Sequence, residues 1–249
     1  MGMKRIITGI LVALPFTAGS VAEAQVQPPA KDTPWSVEFA IGWDNSISGN
    51  INSSGIGTIN GQSVVITKNP YEAVYGTGLH IRFGGGYLID EITEVRATFT
   101  LQSLDADLTE MGEIGSSRLY GQYQDYQSFG LDVGLRRYVD LKAGLRAYGE
   151  ATAGLAFIDE TDVTLVAPGA NLSGTATDFY DRTAAFTLGA NAGLMVKMAE
   201  RVDVFGQLGL RWVTGMADVD SLEDTALETI NDKSARWTLP FLAGVRLRF

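Results

Sequence analysis

The chain contains no cysteine, which excludes disulfide frameworks, thiolate metal sites and thiol nucleophiles together. It has a single histidine, His80, in the local sequence "LHIRF". A serine triad would have to pass through that residue, and with no serine beside it a structural or incidental role is expected. Basic charge is scarce: 19 Lys and Arg stand against 29 Asp and Glu, a formal charge of −10. Nothing resembles the basic stripe that displaces counterions from phosphates, so no nucleic-acid partner is expected. The glycines of "GIGTING" (55–61) miss the spacing of a dinucleotide-binding loop. The acidic "DVDSLEDTALE" (218–228) lacks the spacing and glycine of an EF-hand. There Asp220 and Glu223 fit instead the N-cap and N3 positions of one short helix.

Long apolar runs are missing too, except at the start. Lys4 and Arg5 precede "IITGILVALPFTA" (6–18), and the small-residue pattern Ala22-Glu23-Ala24 follows before Gln25. A charged n-region, a short apolar region and an A-x-A site read as a cleaved secretory signal over 1–24. The run is shorter than the ~18 apolar residues of a spanning helix. Loss of Lys4, Arg5 and Glu23 with the signal takes the formal charge from −10 to −11. Residues 25–34, with Pro28, Pro29 and Pro34, read as an extended leader, leaving 35–249 for the folded domain.

What fills that domain is alternation. "FLAGVRLRF" (241–249) sets Phe241, Ala243, Val245, Leu247 and Phe249 on one face and Leu242, Gly244, Arg246 and Arg248 on the other. Period two is the signature of a strand with chemically different faces. The pattern recurs in 35–44, 75–89, 93–101, 128–139, 145–157, 183–197, 202–212 and 236–249, giving eight strands, each long enough for the ~9–11 tilted residues that cross a bilayer. Their connections alternate in length. Tight links at 90–91, 140–144 and 199–201 separate four long ones near 45–74, 105–125, 159–181 and 214–235. Such loops are uncommon in compact soluble domains, whereas outer-membrane barrels carry short periplasmic turns and long extracellular loops.

The polar face carries Glu38, Arg82, Glu94, Arg96, Asp132, Arg136, Arg146, Glu150, Lys197, Asp203, Arg211, Arg246 and Arg248. That composition suits a narrow, charge-paired lumen, and it also suits a solvated surface. The aromatic residues separate the two. Trp35, Tyr87 and Phe249 fall at one level of the strands, and Trp43, Tyr75, Phe129, Phe157, Phe186, Trp212 and Trp237 at the other, with aliphatic residues between. Two rings of aromatics around an aliphatic band match two membrane interfaces. The expected fold is therefore all-β, an eight-stranded antiparallel transmembrane barrel. Arg137, on the apolar face near the turn end, is expected to snorkel toward headgroups.

On these residues the sequence resembles the small bacterial outer-membrane β-barrel family, which includes the OmpA transmembrane domain, the OmpX/Ail group and the opacity-type porin family. The resemblance implies location in the outer membrane, contact with its lipids and lipopolysaccharide, and assembly through the barrel-assembly machinery, for which Phe249 on its alternating strand would be the signal. No peptidoglycan-binding domain is expected after the barrel. Pro240 departs from the pattern, because its missing N–H removes a ladder bond; a bulge there, or pairing that begins after it, is expected.

No catalytic, cofactor-binding or metal-binding residues are expected. Glu38, Glu94 and Glu150 have basic neighbours that suit ion pairs better than acid and base catalysis. Eight strands enclose room for side chains and no open channel, so the expected function is non-enzymatic: surface interaction, adhesion or envelope integrity through the loops. A small porin for ions or solutes is the alternative, and a lipid A-modifying enzyme a more distant one. N-terminal sequencing of the exported protein should begin at Gln25; a first residue at Met1 would remove the secretory reading.

Overall fold

The structure, a computed structural model, describes residues 34–249 apart from 143, 218, 220–225, 232 and 233, and without the side chains of 175–177. The expected signal peptide with its Ala24–Gln25 junction, the leader up to residue 33 and the Asp220–Glu223 cap lie outside the described residues. Among the described residues the strands are, in chain order, β1 (Trp35–Asn52), β2 (Gly55–Ile59), β3 (Gln62–Ile66), β4 (Asn69–Pro70), β5 (Gly78–Leu88), β6 (Thr93–Leu104), β7 (Thr109–Ile114), β8 (Ser117–Tyr123), β9 (Tyr126–Asp140), β10 (Leu145–Ile158), β11 (Thr161–Ala167), β12 (Leu172–Tyr180), β13 (Thr183–Lys197), β14 (Val202–Val213) and β15 (Arg236–Arg248). One helical turn, α1 (Tyr71–Val74), separates β4 from β5, and 3-10 turns occur at Pro168–Ala170 and Glu228–Asn231.

Eight of these strands close on themselves. The order β15-β14-β13-β10-β9-β6-β5-β1 is completed by antiparallel pairing of β15 with β1. This is the all-β, eight-stranded barrel expected from the alternation. Following the register from Val202 through Leu247, Val37, Gly85, Ala97, Val133, Ala153 and Leu188 returns to β14 at Trp212, ten residues further on. With strands ~4.8 Å apart and a rise of ~3.3 Å per residue, that stagger tilts the strands by about 40°. At such a tilt roughly ten residues cross the apolar band of a membrane.

The three tight turns fall where the sequence placed them, between β5 and β6, β9 and β10, and β13 and β14. In the first, the Asp90 carboxylate accepts the Ile92 backbone N–H at 2.8 Å. That bond holds its pKa below the ordinary carboxylate value. Two expectations are corrected. Tyr75 does not belong to a barrel strand: β5 begins at Gly78, and Tyr75 is 2% exposed, bridged to Ala106 outside the barrel wall. Pro240 neither bulges nor delays pairing, since β15 pairs from Arg236 onward on both sides. The ladder with β14 omits the rungs between Leu208↔Phe241 and Arg211↔Thr238 and then resumes in the same register. The bulge lies elsewhere, in β1 between Ser46 and Ser48.

The wall is apolar outside and polar inside. Trp35, Val37, Phe39, Ile41 and Trp43 are all 43–60% exposed, while Ser36, Glu38, Ala40 and Asp44 between them are buried. In water this arrangement would be inverted. Arg137 is exposed near the turn end, where its charge can reach headgroups. Beyond the barrel the polarity reverses. The bulge in β1 shifts the strand by one residue, which exchanges its two faces, and Ile51 is fully buried although odd-numbered residues earlier in β1 face out. On β6 and β10 the face that points into the barrel changes composition instead, from Glu94 and Arg96 to Leu104, and from Glu150 to Ile158.

Three of the four long connections are largely sheet. β12, β11, β8, β7, β3 and β2 form a second six-stranded sheet over the barrel mouth. Its core includes Val64, Tyr71, Val74, Leu119 and Phe179. These strands run only 5–9 residues, too short for their alternation to stand out from polar surroundings.

Two arginine substitutions separate the solvents on the two parts. Val133 is 65% exposed on the barrel wall and Ile56 is 68% exposed on the cap. Val133→Arg should lower the unfolding free energy in lipid by about 2–4 kcal/mol. Ile56→Arg should stay within about 0.5 kcal/mol. Equal costs in urea titrations of liposome-inserted protein would contradict a lipid-facing wall.

Candidate functional site: a filled lumen under an acidic cap

Alternation points seven charged side chains of the lower barrel at one another. Glu150 on β10 pairs with Arg82 at 3.3 Å, Arg96 at 2.9 Å and Arg136 at 2.6 Å. Glu38 on β1 pairs with Arg96 at 2.6 Å and Arg136 at 2.5 Å. Glu94 on β6 pairs with Arg246 at 2.6 Å and accepts the Ser36 hydroxyl at 2.6 Å. The Tyr138 hydroxyl donates to Glu94 and accepts from Arg246, and the Arg136 guanidinium lies 4.1 Å from the Tyr148 ring centroid. Partners come from opposite sides of the barrel, so the lumen is stitched across as well as around.

Further up, Asp132 accepts the Thr187 hydroxyl at 2.6 Å and lies 3.7 Å from Arg211. Asp44 accepts from Gln102 and, at 3.1 Å, from Thr238. The Arg236 guanidinium stacks 3.9 Å from the Tyr126 ring. His80 sits 3.8 Å from Asp44, and neither of its ring nitrogens has a hydrogen-bond partner, from a serine or otherwise. Of the thirteen residues placed on the polar face from sequence, Glu38, Arg82, Glu94, Arg96, Asp132, Arg136, Glu150, Asp203, Arg211 and Arg246 are buried in the lumen. Arg146 and Arg248 lie at the turn-end mouth, paired with Asp140 at 2.6 Å and Asp203 at 3.1 Å. Lys197 is exposed at the same rim.

Sequence reasoning missed Asp44, Arg236, Gln207 and the inward tyrosines 138 and 148. Period two could have found them, since each lies on the inward face of its strand. Leaving aside Arg146, the described lumen holds Arg82, Arg96, Arg136, Arg211, Arg236, Arg246 and Arg248 against Glu38, Asp44, Glu94, Asp132, Glu150 and Asp203, an excess of one positive charge. At the cap end the inward positions turn apolar with Leu104, Ile158 and Val213. A broad hollow of about 910 Å³ lies on the wall beside the outward-facing Phe39, Phe83, Gly85 and Ala97; its apolar lining belongs to the lipid-facing surface.

All four long connections meet in the cap. Tyr71 donates its hydroxyl to the Ser234 carbonyl at 2.9 Å, Tyr123 to Asn52 at 3.0 Å, and Tyr180 to the Ile51 carbonyl. Asn231 donates to the Phe179 carbonyl at 2.9 Å. Burial pushes the Tyr71 and Tyr123 hydroxyls above their usual pKa. The cap's sequence is strongly acidic: residues 45–77, 105–125, 159–182 and 214–235 contain seventeen Asp and Glu against four Lys and Arg. Asp162 and Asp178 face each other across β11 and β12. Partial burial, then the neighbouring Asp178 charge, raises the Asp162 carboxyl above its usual value.

No protein-family model and no curated protein matches the chain. Among solved structures it is similar to neisserial surface protein A, at 14% identity and a TM-score of 0.48 over 87% of this chain and 97% of that one. It is also similar to the outer membrane protein OprG of Pseudomonas aeruginosa, at 9% and 0.43 over 87% and 97%. A third is the attachment invasion locus protein Ail of Yersinia pestis, at 10% and 0.39 over 86% and 98%. Likenesses this remote say nothing of what this chain does.

Removing one partner from the buried network leaves an uncompensated charge. Glu150→Gln should destabilise the barrel by about 3–5 kcal/mol. Arg118→Gln, which breaks the exposed 3.3 Å pair with Glu110, should leave stability unchanged. Chemical unfolding followed by tryptophan fluorescence compares them, and equal effects would mean that the lumen charges are solvated.

Proposed function

We propose that this chain is a bacterial outer-membrane β-barrel that acts at the cell surface as a non-enzymatic binding or adhesion protein, with its acidic cap as the working surface. The cap faces the exterior and the three tight turns face the periplasm. The wall contacts outer-membrane lipids and lipopolysaccharide, and the last strand with Phe249 is the segment handled by the barrel-assembly machinery during insertion.

The observation that carries this reading is the division of labour between lumen and cap. The lumen is occupied by cross-barrel ion pairs and closed toward the cap by apolar side chains, which leaves it poorly suited to conduct. The cap is tied together from all four connections, and its sequence carries an excess of thirteen negative charges. A surface of that sign attracts cationic partners, such as the basic face of a protein or a cationic peptide, and repels sulfated or phosphorylated polymers.

A fluorescent oligolysine peptide and protein held in lipid nanodiscs provide the test. Binding should be saturable at low salt and weaken at least tenfold as ionic strength rises through the physiological range. It should also fall on combined replacement of Glu110, Glu113, Asp162 and Asp178 by their amides. Absence of binding, together with steady conductance of the purified protein in a planar bilayer, would favour the small-porin reading instead.

A further inference from the structure

The lumen contains a group of hydrogen-bond donors with no acceptor. Above the Glu150 layer, strands β5, β6, β9, β10, β13, β14 and β15 enclose a polar chamber of about 30 Å³, whose lining includes His80, Arg82, Asp132, Gln207 and Arg211. Neither Nη1 nor Nη2 of Arg211 finds a hydrogen-bond acceptor. Its nearest carboxylate oxygen, Asp132 Oδ2, is 3.7 Å away, beyond hydrogen-bond reach. The other Asp132 oxygen already accepts from Thr187. Gln207 Nε2 is likewise unpaired. Its orientation is fixed, because Gln207 Oε1 accepts from Arg82 at 2.6 Å and from the Tyr148 hydroxyl at 3.0 Å. Both ring nitrogens of His80 lack a hydrogen-bond partner as well.

We propose that this chamber binds one small inorganic anion, chloride in the cell. Three observations converge on that chemistry. The unmatched groups are chiefly donors, and a guanidinium with two free Nη groups needs acceptors that the surrounding strands do not supply. The lumen carries one guanidinium more than it has carboxylates, so a single negative charge completes it. The space holds one water-sized species, which fits a monatomic halide and excludes sulfate or an organic acid. Asp132 on the lining is the opposing influence. Arg211 faces it at 3.7 Å without a hydrogen bond, while Arg82, also on the lining, already donates to Glu150 at 3.3 Å and to Gln207 at 2.6 Å. Gly189 contributes to the room: a Cβ there would stand 2.5 Å from Thr152 Oγ1. This inference is independent of what the cap binds.

Crystals of the detergent-solubilised protein grown with bromide in place of chloride test it directly. An anomalous peak is expected within hydrogen-bonding distance of Arg211 Nη and Gln207 Nε2, absent in Arg211→Met and stronger in Asp132→Asn. The thermal midpoint in chloride should also exceed that in gluconate at equal ionic strength, with the difference lost in Gln207→Leu. Solvent density without anomalous signal, or a peak unaffected by these substitutions, would overturn the proposal. The Asp132→Asn and Gln207→Leu comparisons keep it testable if Arg211→Met does not fold.

Discussion

A bilayer core offers a peptide group no hydrogen bond, and that single constraint organises this molecule. Any chain crossing hydrocarbon must satisfy its own N–H and C=O groups, and a sheet does so only by closing. Closure through β15 and β1 fixes strand number, stagger and tilt together. Once the cylinder is closed, the outer face must be apolar because lipid touches it. The inner face inherits whatever polar residues alternate with those apolar ones. The Glu and Arg side chains in the lumen are therefore consequences of the wall as much as features in their own right.

Eight strands leave little room for water around those charges, so most of them satisfy one another. Bidentate arginine suits this task, since its planar fork can meet two carboxylates at once. Arg136 does so between Glu38 and Glu150, and Arg96 repeats the arrangement. A network of this kind adds little net stability over a well-packed apolar core, and its members become costly to remove one at a time. Above the membrane the solvent changes to water and the rule inverts. Apolar side chains turn inward, and the cap gains a hydrophobic core of the ordinary kind.

The sequence made the barrel legible because each wall strand repeats its two-residue period over nine or more positions, enough for apolar and polar faces to separate by eye. The bulge at Ser46 and Ser48 was not legible, since an extra residue between two small polar ones leaves no mark in composition. The cap strands were hidden by shortness: "QSVVI" of β3 makes sense only beside β2 and β7. Tyr75 was misread because an aromatic three residues before a strand looks like part of its girdle until α1 and the cap claim it. For the lumen, alternation assigned the face of Glu38 or Arg246 and could not assign partners. Which arginine meets which carboxylate depends on the ten-residue stagger, a property of closure that no single strand carries. Pro240 follows the same logic, as its lost rungs with β14 are tolerated by the ladder with β1, which runs unbroken through it.

The most direct measurement is the accessibility of nitroxide labels placed singly along β9 and in the β2–β3 hairpin, with the protein in liposomes. Labels at Leu131, Val133 and Leu135 should relax strongly with oxygen and weakly with a water-soluble nickel chelate, because hydrocarbon surrounds them. Labels at Ile56 and Val65 should show the reverse. High nickel accessibility at Val133 would mean that water bathes the apolar wall, and the membrane-spanning barrel would be contradicted at its root.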